Sequence, residues 1–182
     1  MLMDASKSSL LIIDVQERLL PAIADGQTIL RNCIWLVGVA RRLQVPIVIS
    51  EQYPAGLGPT AAPLRAAAGE APFVQKTHFS GVADGCFADT AVEARRQVVV
   101  TGTEAHVCVM QTVLELRWQG KEVFLVEDAA GSRKIGDKQA ALARMRAHGV
   151  EVVTREMVAF EWLKRGATDL FREVNRDFIR DC

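Results

Sequence analysis

Short runs of apolar, mostly β-branched residues recur along the chain, separated by stretches whose apolar positions fall three or four apart. Continuous apolar runs bounded by turn residues predict buried strands, and the longer spacing predicts amphipathic helices. Strands are expected at 10–15, 45–49, 71–75, 98–101, 122–126 and 150–153. Leu30, Ile34, Val37, Ala40 and Leu43 mark one face of a helix over 29–43. A loop rich in Gly and Pro follows at 51–63, and a helix is expected over 85–95. Val109, Val113 and Leu116 give a helix over 105–116, and Gly120 suits its stop. Asp137 is expected to cap a further helix through Leu142 and Met145 to Gly149. From Glu156 the tail reads as two short helices broken near Gly166. Its apolar face of Leu170, Phe171, Val174, Phe178 and Ile179 is expected to cover the protein's own core.

Strand–helix alternation with strands buried on both faces predicts an α/β three-layer sandwich. The expected sheet has six parallel strands in the order 3-2-1-4-5-6, with helices on both faces. A single domain is expected over residues 1–182, a length that can bury a substantial core. With 49% hydrophobic residues the chain is not of disordered type. Lys plus Arg and Asp plus Glu stand at 22 each, which leaves no electrostatic footprint for nucleic acid and no charge barrier to self-association.

Cys33, Cys86, Cys108 and Cys182 are widely spaced without a C-x-x-C pair, neither a zinc pattern nor a disulfide scaffold. Residues 1–7 lack a charged-then-apolar leader, and no apolar run reaches membrane-spanning length. A reducing, cytoplasmic setting without membrane contact is therefore expected.

Ligands of open parallel sheets bind outside the carboxyl ends of the strands. Three reactive side chains fall at such ends: Asp14 after strand one, Lys76 after strand three and Cys108 after strand four. Cys108 is expected in a first helical turn, where free N–H groups and the helix dipole favour a thiolate. Each residue also has an ordinary explanation. An Asp after a strand is a common turn former, a lone Lys is commonly solvated, and Cys is often buried and inert. Together, however, they bring a carboxylate, an amine and a thiol to one edge of the expected sheet.

These residues and their flanks resemble the isochorismatase-like cysteine hydrolase family. The likeness runs through Leu11-Ile12-Ile13-Asp14-Val15-Gln16, then Lys76-Thr77-His78-Phe79-Ser80, to Gly102-Thr103-Glu104-Ala105-His106-Val107-Cys108-Val109. Residues 127–133 and 156–161 also match, as does the loop over 51–60, which is similar to that of the small isochorismatase-domain hydrolases.

The resemblance implies hydrolysis of a small amide or carbamoyl C–N bond through a thioester. In this scheme Cys108 attacks, Asp14 takes its proton and later gives it to the departing amine, and Lys76 orients Asp14. It places the oxyanion against the backbone N–H groups of Glu104 and Cys108, with a cis peptide at Thr103–Glu104. It further implies a homo-oligomer acting on a small molecule.

Gln16, two residues after Asp14, is expected to point near the site, and Tyr53 and Phe79 are the aromatics on candidate rim loops. His106 is either a neighbour of the site or a helix cap. Nicotinamidases carry an Asp-x-His metal cluster after strand two; this chain has no histidine there, and His78, His106 and His148 are not at ligand spacing. Neither a metal nor another cofactor is expected.

Residues 131–138 lie between strand and helix like a phosphate-binding loop, but Asp137 occupies the position that the pattern reserves for Lys. Nucleotide hydrolysis is set aside on that charge. Two other functions compete with the amidohydrolase. Vinyl-ether hydrolysis of the isochorismatase type needs no cysteine nucleophile, and a non-enzymatic or redox-sensing role would not need all three groups.

Overall fold

The computed structural model describes residues 1–180; Cys182 lies outside the described residues. Six strands build one parallel sheet: β1 Ser8–Ile13, β2 Ile47–Gln52, β3 Phe73–Lys76, β4 Gln97–Thr103, β5 Glu122–Gly131 and β6 Glu151–Val153. Their order is β3-β2-β1-β4-β5-β6, as expected, with every pair parallel. The helices are α1 Gly26–Arg42, α2 Pro54–Leu57, α3 Ala62–Ala68, α4 Gly81–Asp84, α5 Ala91–Ala94, α6 Met110–Trp118, α7 Ile135–Ala147, α8 Arg155–Leu163 and α9 Asp169–Val174. No helix among the described residues is long and apolar enough to cross a membrane.

Successive side chains of a strand point to opposite faces. Accordingly, Leu10, Ile12, Ile47, Ile49, Val99 and Phe124 join the core that includes residues of α1, α3 and α8. Leu11, Ile13, Val48, Val98, Val100 and Leu125 join the core that includes residues of α6 and α7. All of β1 is buried, each apolar side chain contributing about 1.5–3 kcal/mol over an exposed one. That central burial makes β1 a fixed base for the residue that follows it.

Several boundaries differ from expectation. β1 stops at Ile13, because Asp14 turns into the left-handed region at φ 53°. β2 continues through Ser50, Glu51 and Gln52, all buried, so the loop starts later and contains α2 and the start of α3. Burial of three consecutive polar residues is a tertiary outcome that a hydrophobic pattern does not report. β5 runs on to Gly131, with a register shift against β4 between Val100 and Gly102.

Of the helix expected over 85–95 only the single turn α5 forms, and another single turn, α4, precedes that span. Ser80 caps α4 and Thr90 caps α5, while Gly85 and Asp89 adopt positive φ between them. α7 begins at Ile135, so Asp137 lies inside its first turn rather than capping it. The tail forms α8 and α9, separated by Lys164 and Ala167 at positive φ, then a π turn over Asn175–Ile179.

Candidate active site

The carboxyl ends of β1, β3 and β4 converge, and with them Asp14, Lys76 and Cys108. Gly102 makes the approach possible. It pairs with Ile13 across the central strands, and a Cβ at this position would lie 2.1 Å from the Ile13 carbonyl oxygen. Thr103 Oγ1 then donates to the Asp14 carbonyl oxygen at 2.6 Å, tying the end of β4 to the turn after β1.

Lys76 Nζ donates to Asp14 Oδ2 at 2.7 Å, and neither side chain has any exposed surface. The ammonium also donates to Gln52 Oε1 at 2.6 Å and to the Phe79 carbonyl oxygen at 3.1 Å. Ser50 Oγ donates to Asp14 Oδ1 at 2.7 Å. A buried charge is tolerated only when paired and hydrogen-bonded, and this pair is both.

Cys108 is 4% exposed, and the charges of Asp14 and Lys76 both act on its thiol. Burial pushes that thiol up to about 12, and the Asp14 charge adds to the effect against the opposing pull of Lys76. The expected resting thiolate is therefore corrected: at neutral pH the sulfur keeps its proton. Local geometry agrees, since Cys108 sits in a π turn over Ala105–Val109, ahead of α6 rather than in its first turn. Expectation also fails at Thr103–Glu104, because every peptide bond among the described residues is trans. The reversal from strand to turn is made instead by Glu104 in the left-handed region, at φ 53° and ψ 63°.

Gln16 lies beside the site. Its side chain is committed to backbone: Nε2 donates to the carbonyls of Gln52 at 3.0 Å and Gly58 at 2.7 Å, and Oε1 accepts from Gln52 N–H at 2.8 Å. It pins the loop beside the site. Glu51 does the same from the other side, accepting from Thr60 N–H, Thr60 Oγ1 and Arg65 Nη2. Tyr53 and Phe79 lie on the rim, 57% and 54% exposed.

A cleft of about 250 Å³ opens beside Lys76, lined by Tyr53, Pro54, Ala55, Gln75, Thr77 and Asp84. Three larger hollows, about 890, 550 and 420 Å³, include none of the three reactive residues, and the cleft beside Lys76 includes neither Asp14 nor Cys108, so chemistry rather than volume marks the site. Asp84 shapes one wall. It accepts from the N–H groups of Thr77 and His78 and meets His78 Nδ1 at 2.8 Å, interactions that hold its carboxyl below the usual range.

Ser50, Glu51 and Gln52 escaped the sequence reading. The available signal was a polar triplet directly after an apolar strand, on the edge where Asp14 falls. His106 sits beside the signature turn, its Nδ1 meeting Ser132 Oγ at 3.0 Å. Among the described residues no group of three or more His, Cys, Asp or Glu is placed to hold a metal ion.

Known proteins resemble this chain in sequence and fold. The isochorismatase domain family model matches residues 8–157. Isochorismatase domain-containing protein 2A of Mus musculus is 37% identical over 172 residues, covering 93% of this chain and 81% of its own. Isochorismatase domain-containing protein 2 of Danio rerio is 34% identical, covering 93% and 85%.

Among solved structures, the MAR1 ribonuclease of Caenorhabditis elegans superposes with a TM-score of 0.91 at 31% identity, covering 97% of this chain and 91% of its own. The YcaC gene product of Escherichia coli, an octameric hydrolase of unknown specificity, shares the fold with a TM-score of 0.90 at 24% identity, covering 99% and 92%. On the family match and these identities, with the parallel sheet and its strand-end site, the chain belongs to the isochorismatase domain family and carries its hydrolase fold.

Proposed function

We propose that the protein is a cysteine hydrolase that cleaves a small amide or carbamoyl C–N bond through a thioester. One observation carries this reading: a buried thiol acted on by the charge of a carboxylate that is itself paired to a buried ammonium at 2.7 Å. A neutral thiol is a weak nucleophile and needs an adjacent base. Asp14 therefore accepts the Cys108 proton as sulfur attacks the carbonyl carbon. Charge on the carbonyl oxygen meets the backbone N–H groups of Glu104 and Cys108. The C–N bond breaks as Asp14 returns the proton to nitrogen, leaving an acyl group on sulfur and releasing an amine or ammonia. Water, losing a proton to Asp14, then attacks the thioester; the acid leaves and the thiol takes back its proton.

Lys76 keeps Asp14 oriented and offsets the negative charge that passes through the site. Tyr53 and Phe79, exposed on the rim, are the aromatics available to contact a substrate. The same reading includes self-association, which zero net charge does not oppose and which the exposed rim aromatics favour. The ribonuclease name of the nematode relative does not redirect it. Equal numbers of basic and acidic residues give no surplus for a phosphate backbone, and Lys76 is buried against Asp14.

Wild type and Cys108→Ala, screened on a panel of small primary amides and ureido compounds, test the proposal. Ammonia release and a mass increment on Cys108 are expected for wild type only. Undiminished turnover in the variant on a substrate of the wild type would sink it.

A further inference from the structure

A second ionic cluster is built around the residue that opens the Cys108 turn. The Glu104 side chain is 9% exposed. Its Oε1 accepts from Arg133 Nε, while Oε2 is buried without a hydrogen-bond donor, 3.4 Å from His106 Nδ1. His106 Nε2 in turn faces Asp137 Oδ2 at 3.8 Å. Ser132 and Arg133 directly follow β5, so the cluster ties the end of that strand to the start of the turn after β4.

Two unfavourable features coincide at Glu104. A buried carboxylate is costly to keep ionised, and a positive φ is uncommon for a residue with a side chain. Both are maintained at the residue whose N–H the proposed mechanism aims at the oxyanion. Without the tether, φ could relax toward the common negative region, and the peptide plane would turn.

We propose that the Glu104 side chain is a positioning residue for acyl transfer. Clamped by Arg133, it holds the left-handed turn so that the backbone N–H groups of Glu104 and Cys108 face the substrate carbonyl oxygen. This inference rests on the thioester reading above. It differs from a merely structural pin in affecting only reactions that develop an oxyanion.

Two reactions at Cys108, both followed by the mass of its proteolytic peptide, separate these roles in wild type, Glu104→Ala, Glu104→Gln and Arg133→Ala. Acylation by p-nitrophenyl acetate passes through an oxyanion; alkylation by iodoacetamide is a displacement at carbon that does not. Acylation is expected to fall about tenfold to hundredfold in E104A and R133A while alkylation is unchanged. E104Q should recover most of the acylation, because its amide oxygen still accepts from Arg133.

The Arg133 side chain is 58% exposed, so R133A carries the test if E104A does not fold. Equal losses in both reactions, or full acylation in E104A and R133A, overturn the inference and leave the nucleophile standing. Absence of Cys108 acylation in wild type overturns both.

Discussion

Gly102→Ala is the sharpest probe of how the fold makes the site. A Cβ there would lie 2.1 Å from the carbonyl oxygen of Ile13, 2.6 Å from its nitrogen and 2.8 Å from its carbonyl carbon. All three atoms belong to the backbone of the central strand, so no side-chain rotation relieves them. Ordinary contact begins at 3.4 Å, and β4 would have to part from β1 by more than an ångström.

The backbone of Gly102 is also at φ 134°, a conformation that costs a residue with a side chain about 1–3 kcal/mol. Overpacking adds about 1–3 kcal/mol, a large share of a stability of about 5–15 kcal/mol. Asp14 follows Ile13 directly and Cys108 hangs from the end of β4, so the same displacement separates base from nucleophile. An error of this size costs about a hundredfold in rate.

Urea unfolding followed by circular dichroism reads the first effect, and turnover of the best amide from the panel reads the second. Gly136→Ala is the control, since a Cβ there meets nothing within 4 Å in α7 and should add up to about 1 kcal/mol. A G102A protein with the wild-type midpoint and wild-type turnover would refute the close-approach argument.

Two further outcomes follow from burial. Lys76→Met strips the partner from a carboxylate with no exposed surface and should cost about 3–5 kcal/mol in urea at pH 7, part of it recovered in Asp14→Asn/Lys76→Met; a single variant as stable as wild type would mean the pair is not desolvated. Burial also pushes Cys33 up to about 12 from 9.0, so the folded chain holds this proton more tightly than the unfolded one. The associated stability is complete below pH 9 and is lost as pH rises toward 12. Cys33→Ala lacks that loss, so its deficit against wild type should shrink by about 1.4 kcal/mol between pH 8 and pH 10. A constant gap would argue that the thiol is not shielded.

The apolar runs determine the six parallel strands, and with the strand order expected of such a sheet they put Asp14, Lys76 and Cys108 at strand ends. This works because burial on both faces imposes a pattern that each strand carries locally, and because an open parallel sheet gathers its carboxyl ends on one edge.

What no local pattern carries was decided by packing. Lys76 meets Asp14 across 62 positions of sequence, and Ser50 and Gln52 complete the network from a third strand. The protonated state of Cys108 likewise depends on how much water the finished fold excludes and on which charges surround the sulfur. Gln16 was legible as a polar residue near the site, but its commitment to loop backbone, like that of Glu51, was not. Hydrogen-bond pairing and desolvation arise between elements, and only the assembled sheet brings those elements together.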